Sequence, residues 1–573
     1  MDHNKRLARM FDTLADALEF LGENAFKIRA YRKVARFLEN FPEDIEEYYK
    51  EHGHEGLKSL PGVGEKIASK IEEYLQRGSF KKYDEVTSKV PEGILKLLEI
   101  PGIGPKTIKH AYDELGVKNL EDLKRVIEDG SLAKLRGMGP KKVENIKKSI
   151  ELYFKMQDRI PLGEIYPFVE KLKEWLASYE YVEKIEVCGS YRRRKETVGD
   201  IDILCVSTHG HEVIERFVNH PDVTRILAQG ETKGSCIFND RIQVDLRVVP
   251  EESFGAALQY FTGSKQHNVH LRTIAKQMGY KISEYGVFKE GRKVAGAKEE
   301  DVYGILGLDF IPPELREDRG EIEKAQKHEL PELIERKDIK GDLHVHSQYS
   351  DGTATLREIA EKALEMGYEY IAVCDHSRSA RYAGGLSIEK LREKNREIDR
   401  INEEFGKQIL LKGAEVDILQ DGTLDYPDEA LKELDFVVAS VHVWSKYEDI
   451  TPRIIKALQN PYVHTIGHPT GRLIGKREPY NVDLEKVIET AAKEGKFIEI
   501  NAHYERLDLN DIWSRRAKDL GVKLTIGTDA HQLGQMWMMD LGVYVARRGW
   551  LEKEDVLNTL RVNELLKILK QRG

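Results

Sequence analysis

At 573 residues the chain has room for several domains, each able to bury a core of its own. No stretch approaches 18 apolar residues, no hydrophobic run follows Met1–Arg6, and the four cysteines (Cys188, Cys205, Cys236, Cys374) form no Cys-x-x-Cys pair. The expectation is therefore a soluble, cytoplasmic protein with no secretory leader, disulfide framework or zinc finger. The formal net charge of −9 argues against a nucleic-acid partner until it is divided: residues 61–150 carry 18 Lys+Arg against 14 Asp+Glu, a surplus of 4 that leaves −13 for the rest.

Residues 1–60 predict amphipathic helices, with Leu7, Met10, Phe11, Leu14, Leu18 and Leu21 at helical spacing and Tyr31, Val34, Ala35 and Leu38 repeating it. A repeat follows. Pro61-Gly62-Val63-Gly64-Glu65-Lys66 recurs as Pro101-Gly102-Ile103-Gly104-Pro105-Lys106 and, less faithfully, as Arg136-Gly137-Met138-Gly139-Pro140-Lys141. Two glycines around an apolar residue, then a lysine at a helix start, leave backbone N–H groups free to meet an anion. These units resemble helix-hairpin-helix motifs, which grip DNA through its phosphates and do not read sequence; Gly62, Gly64, Lys66, Gly102, Gly104 and Lys106 are the DNA-binding candidates.

Val198, Ile201, Ile203, Leu204 and Val206 predict a strand on which Asp200 and Asp202 share one face. Ile242–Val249 predicts a second, with Asp245 and Arg247 on one face and Val244 and Leu246 on the other. Asp-x-Asp by itself equally describes two solvated edge charges. Upstream, however, Gly189-Ser190 lets backbone approach a phosphate, and Arg192, Arg193 and Arg194 set positive charge beside the acidic strand. Three aspartates on adjacent strands can hold two Mg²⁺ ions about 3.5–4 Å apart. The arrangement resembles the nucleotidyltransferase palm of the family X DNA polymerases, the group that includes DNA polymerase beta.

That resemblance extends to Gln259-Tyr260-Phe261-Thr262-Gly263-Ser264 with Asn268 and Arg272 downstream. It implies that Tyr260, Phe261 and Gly263 lie against the sugar of an incoming nucleotide, that Asn268 and Arg272 touch the minor groove, and that Gly189, Ser190 and Arg193 bind the triphosphate. It also aligns Lys70 with the family's lyase nucleophile, near Lys66, Lys27 and Arg32. Lys66 and Lys70 are four apart on one helix face, and a like charge at that spacing lowers a lysine pKa, as attack on an abasic sugar requires; a basic face that only binds phosphate remains the alternative. Phe26 and Ile28 depart from the residues that accompany lyase activity in the family's animal members.

Glu314–Lys340 is charge-rich with little apolar periodicity and reads as a linker. Beyond it, short apolar runs end repeatedly in metal-ligand residues: His344 and His346 with Asp351 after them, His376 after Tyr370–Val373, Glu415, His442 after Phe436, His468 after Val463, and Asp529 with His531 after Leu524. Helical stretches lie between them, which is the βα-barrel arrangement with ligands converging on one mouth. The pattern resembles the polymerase and histidinol phosphatase (PHP) domain attached to family X polymerases of bacteria and archaea, and all nine ligand positions match. Mixed imidazole and carboxylate ligands suit Mn²⁺ or Zn²⁺. Tyr349, Arg381, Arg472, Asn501 and His503 are candidates for holding DNA phosphates.

The fold expected is multidomain α/β and α+β, in chain order. A lyase-like helix-hairpin-helix domain (1–90), fingers (91–155), a mixed-sheet nucleotidyltransferase palm (156–250) and an α+β thumb (251–316) lead through a linker (317–338) to a distorted (β/α) barrel PHP domain (339–573). The family implies a DNA-directed DNA polymerase filling short gaps in base-excision repair, with a 3′→5′ exonuclease and abasic-site endonuclease or lyase action beside it. Its catalytic residues would be Asp200, Asp202, Asp245 and, for the lyase, Lys70. The implied cofactors are Mg²⁺ or Mn²⁺ in the palm and a Zn²⁺ and/or Mn²⁺ cluster of up to three ions in the barrel. The implied partners are gapped or primer–template DNA with a 5′-phosphate and dNTPs, on a monomer away from membranes. The alternative is a DNA-end phosphoesterase whose polymerase half mainly binds DNA.

Overall fold

The computed structural model describes the chain apart from residues 1–2, 40, 42–43, 99, 101–102, 140–141, 145, 148–149, 151–158, 446–447 and 571–573. Two compact units result: Met1–Gln157 with Gly475–Arg477, and Asp158–Ile474 with Glu478–Gly573. No helix among the described residues is long and apolar enough to cross a membrane.

The first unit is helical. Leu7, Phe11, Leu14, Leu18, Val34, Ala35 and Leu38 are buried in one core, so the stripe seen in the sequence packs inward. Gly62 takes φ +80° and Gly64 starts the helix Glu65–Arg77, which buries Ala68, Ile71 and Tyr74 and stops at left-handed Gly78. The second unit of the repeat has the same build: Gly104 starts Pro105–Leu115, proline fills the first turn where no N–H partner exists, and left-handed Gly116 ends it. In the third, Gly137 also adopts positive φ. Gly102, with Pro101, Pro140 and Lys141, lies outside the described residues.

The second unit begins with a five-stranded mixed sheet. Its strands are β1 (Lys184–Val187), β2 (Asp200–Val206), β3 (Val223–Gln229), β4 (Lys233–Phe238) and β5 (Ile242–Val249), in the order β1-β2-β5-β4-β3. Only β2 and β5 run parallel. Along β5 burial alternates residue by residue, so Val244 and Leu246 enter the core while Asp245 and Arg247 stand on the other face. The helices Phe254–Thr262 and Lys265–Gln277 and a three-stranded antiparallel sheet over residues 280–295 complete the thumb.

The segment read as a linker is packed. It carries the helix Glu321–Gln326, and Ile322, Ala325, Leu333 and Ile334 are buried. Its apolar residues are too few to produce a periodic signal, but they are spent on contacts with the thumb core and Trp550.

Seven parallel strands follow: β6 (Gly341–Val345), β7 (Tyr370–Val373), β8 (Leu410–Asp417), β9 (Phe436–Ser440), β10 (Thr465–Ile466), β11 (Phe497–Asn501) and β12 (Leu524–Gly527). They are hydrogen-bonded in sequence order. The barrel closes beside its ligands, where the Asp529 N–H donates to the His344 carbonyl at 2.8 Å and the His346 N–H to the Ala530 carbonyl at 2.9 Å. Burial on both faces explains why β7 and β9 read as apolar runs without alternation, while β6, β11 and β12 bury polar residues among apolar ones.

Candidate functional site

In the parallel pairing of β2 and β5, Asp202 lies directly opposite Asp245, with Asp200 opposite Gln243. Gly189 takes φ +62°, and a Cβ there would stand 3.1 Å from Asp202 Oδ2, so only glycine brings this backbone so close to the carboxylate. Asp245 Oδ1 accepts from Ser235 Oγ at 2.5 Å and Gln243 Nε2 at 3.0 Å, which fixes its plane. Burial, then the charges of Asp200 and Asp245, push Asp202 up to about 6. Among the described residues the groups of three or more whose ligand atoms converge within 4.8 Å do not include these aspartates. The donor set, hard carboxylate oxygens on rigid strands, fits Mg²⁺ or Mn²⁺.

All three arginines are paired or stacked, Arg193 with Glu317 Oε1 at 3.1 Å. Arg192 makes a two-pronged bond to Glu299, 2.8 Å on each prong, and a third bond to Thr262 Oγ1. The Arg194 guanidinium lies over the rings of Tyr544 (4.3 Å), Tyr191 and Tyr166. Charge expected to face the acidic strand is therefore spent on packing, because a buried guanidinium must be paired or stacked. Arg193 donates from Nη1 to the Thr262 carbonyl, next to Gly263. Ser190 belongs to the short helix Gly189–Arg192. Tyr260 and Phe261 pack edge to face, and the Asn268 amide donates to the Tyr260 carbonyl at 2.8 Å while accepting from Gln259. Arg272 is exposed and bonds the Asn268 carbonyl.

All nine predicted ligands of the barrel meet at its mouth. Ligand atoms converge within 4.8 Å in three overlapping groups: His346, Asp351, His376 and His531; His344, His346 and Asp529; His376, Glu415 and His442. His468 joins them through Nε2, 2.8 Å from Glu415. Two ring nitrogens, His346 Nδ1 and His468 Nδ1, are buried without a hydrogen-bond partner among the described residues, and His376 Nδ1 stands 3.0 Å from Glu415 Oε2. Unsatisfied imidazole nitrogens beside three carboxylates fit a cluster of divalent cations of the Zn²⁺ or Mn²⁺ kind. Burial pulls the histidines down, yet Glu415 and Asp417 hold His442 up at about 9, and carboxylates raise His344 and His376 well above their usual value. His346, deep and ringed by other histidines, falls to about 4.

Sequence reasoning missed the residues that orient these ligands. Glu499 accepts from His344 Nδ1 at 2.6 Å and from the His468 N–H at 2.7 Å. Asp417 holds His442 Nδ1 at 2.5 Å. Each leaves the opposite ring nitrogen facing the cluster. A lone glutamate in the apolar run Phe497–Asn501 was the available signal. Two of the predicted ligands, His468 and Asp529, hold left-handed backbone (φ +28° and +53°), which costs about 1–3 kcal/mol each and is maintained by the bonds to Glu499 and to the His344 carbonyl.

The proposed phosphate-holding residues are mostly occupied elsewhere. Arg472 bonds Glu196 at 2.7 Å and the carbonyls of Arg506 and Leu507, so it joins palm to barrel. Tyr349 donates to Glu397, and Asn501 donates to Asp529. Arg381 lies in a turn and His503 is half-buried. In the first unit Lys70 Nζ bonds the Lys66 carbonyl at 2.7 Å and lies 5.9 Å from the Tyr31 ring centre. Burial, more than the charge of Lys66 and Lys82, lowers its pKa. Lys66 and Lys106 are exposed, whereas Arg32 is paired with Asp16 and Glu19 and Lys27 with Glu23.

Comparison with known proteins finds five family matches along the chain. A helix-hairpin-helix domain covers residues 2–80, a SAM-like helix-hairpin-helix tandem 94–151, a DNA polymerase beta palm 159–255, a DNA polymerase beta thumb 257–317 and a PHP domain 342–503. The DNA polymerase/3′-5′ exonuclease PolX of Bacillus subtilis (strain 168) is 40% identical over 575 residues, covering 99% of this chain and 100% of that protein. The chain belongs to family X of the DNA polymerases, in the branch with a C-terminal PHP domain. Within that family it is also 27% identical to DNA polymerase lambda of Rattus norvegicus over 347 residues, 55% of this chain and 56% of the other. A probable phosphatase of Thermoanaerobacter sp. (strain X514) is 33% identical over 249 residues, 40% of this chain and 94% of that protein. The family X chain carries Asp529 and His531 beyond the matched PHP span, and barrel closure returns them to the cluster.

Proposed function

We propose that this family X enzyme is a DNA-directed DNA polymerase that fills short gaps during base-excision repair, and that its PHP domain is a 3′→5′ exonuclease. The observation that carries the first half is the register that sets Asp202 beside Asp245 under Gly189. Divalent cations supply Lewis acidity at both sites: Mg²⁺ or Mn²⁺ in the palm, and Zn²⁺ and/or Mn²⁺, up to three ions, in the barrel. Asp200 and Asp202 hold the palm cations. Asp245 helps remove the proton of the primer 3′-hydroxyl, which attacks the α-phosphate of a dNTP; Ser190 and Arg193 neutralise the departing pyrophosphate. Tyr260, Phe261 and Gly263 bound the sugar, and Asn268 and Arg272 check the minor groove. In the barrel His344, His346, Asp351, His376, Glu415, His442, His468, Asp529 and His531 would hold the cluster, which would supply Lewis acidity toward a phosphodiester.

The hairpins take DNA phosphates at Gly62, Gly64, Lys66, Gly102, Gly104 and Lys106, with the 5′-phosphate of the gap in the lyase-like domain of residues 1–90. Lys70, whose pKa burial lowers so that more of its amine is neutral, removes an abasic sugar through a Schiff base. Borohydride should trap the chain on abasic DNA and should not trap Lys70→Ala. The enzyme works as a cytoplasmic monomer.

The test of the main reading is extension of a primer across a short gap, with the template present or removed and each dNTP omitted in turn. Incorporation should follow the template base and stop at the omitted nucleotide. The likeness of residues in the barrel to a probable phosphatase favours a second reading, a DNA-end phosphoesterase whose polymerase half mainly binds DNA. Removal of 3′ groups without any extension would establish it instead.

A further inference from the structure

The segment Arg193–Glu196, which follows the short helix Gly189–Arg192, is bonded to the barrel domain at both ends, through Arg548 and Arg472. The helix Met539–Arg548 ends there. Arg548 Nη1 donates to the Arg193 carbonyl at 2.7 Å and to Glu317 Oε1 at 3.1 Å, and the same Glu317 oxygen accepts from Arg193 Nε at 3.1 Å. Arg548 Nη2 reaches Asp511 at 2.9 Å, where Arg319 also pairs. The side chains of Arg548, Glu317 and Arg193 are only 5%, 11% and 12% exposed, so water does little to screen them. Lys195 stands 4.0 Å from the other Glu317 oxygen.

Two guanidiniums thus share one carboxylate. If Glu317 faced Arg193 alone, it would neutralise that charge; drawn equally toward Arg548, it leaves a positive excess on the palm side. The bond to the Arg193 carbonyl also fixes the backbone from which that side chain extends. We propose that Arg548, a residue of the PHP domain, is a positioning residue for nucleotide binding in the palm, acting through Glu317 and the Arg193 backbone. The proposal rests on the reading above in which Arg193 meets the triphosphate. It makes the barrel domain a structural part of the polymerase site and not a detachable nuclease.

The experiment is steady-state single-nucleotide gap filling by the full chain, comparing the parent with Arg548→Ala, Arg548→Lys and Arg193→Ala. Degradation of the same DNA from its 3′ end is measured alongside. Losing the Arg548 bonds to the Arg193 carbonyl, Glu317 and Asp511 should raise KM for the dNTP about tenfold while kcat falls less than about threefold, and inhibition by pyrophosphate should weaken in step. Arg548→Lys should recover part of the affinity, and 3′→5′ degradation should persist in both variants because Arg548 contacts no ligand of the cluster. A folded Arg548→Ala protein with KM and pyrophosphate inhibition unchanged would overturn the proposal, as would a fall in kcat alone. Should Arg548→Ala fail to fold, Arg548→Gln, which keeps a donor to the Arg193 carbonyl without the charge, decides by the same KM criterion. If Arg193→Ala also leaves KM unchanged, the triphosphate reading of Arg193 itself is wrong; if it raises KM while Arg548→Ala does not, only the coupling fails.

Discussion

The charge state of single side chains carries two predictions. Asp202 is pushed up to about 6 by burial and then by its two neighbours. A carboxyl whose pKa is raised on folding favours the native state at pH below the ordinary carboxylate range, and that contribution is lost as the pH rises through about 6. Asp202→Asn should therefore stabilise the cation-free protein by about 2 kcal/mol at pH 7.5 and very little at pH 4, measured by denaturant unfolding with chelator present. In the barrel the sign is opposite for the metal. Protons on His442, His344 and His376 must leave before their nitrogens can bind cations. Loading should release protons in weak buffer, and apparent affinity should fall as the pH is lowered. Asp-x-Asp was legible in the sequence because it opens the apolar run that reaches Val206, and the strand-end histidines His376 and His442 because each follows the end of one. Glu499 was not, because one glutamate inside a strand resembles an edge charge until the barrel closes around it. Glu499→Gln, folded by circular dichroism, should lower metal affinity about 10–100-fold in direct metal titration.

Among the elements, strands crossing at close quarters decide the site. A Cβ on Gly527 would stand 2.3 Å from His344 Cβ and 2.6 Å from Glu499 Oε1. Gly527→Ala should part this pair, lowering the barrel's metal content and degradation while sparing synthesis; retained metal would count against the packing argument. The hairpins were readable in the sequence because a glycine pair before a helix is local chemistry, reproduced at Gly62–Gly64 and at Gly104. The segment read as a linker was not. Ile322, Ala325 and Leu333 are buried in the thumb core with Trp550, Ile334 is buried with its N–H on the Leu551 carbonyl, and four such residues leave no period to detect. Ile334→Ala should cost about 2–5 kcal/mol of stability, a figure for a tether without packing being close to zero.

Across the second unit, the palm, thumb and barrel are joined by contacts that no sequence pattern announces. Arg472 bonds Glu196, Arg547 bonds Glu314, and Tyr166 stacks on Trp537. Fold class was legible because each domain has its own local signature, whereas partners hundreds of residues apart become neighbours only in the folded chain. That joining sets two chemically different centres in one unit, an all-aspartate site on a mixed sheet and a histidine-rich cluster at a barrel mouth. The measurement that separates them most directly is extension and 3′→5′ degradation of the same gapped primer by Asp200→Ala and His344→Ala proteins. Asp200→Ala should lose extension and keep degradation, and His344→Ala should do the reverse. Loss of both activities in either folded variant would contradict two independent centres.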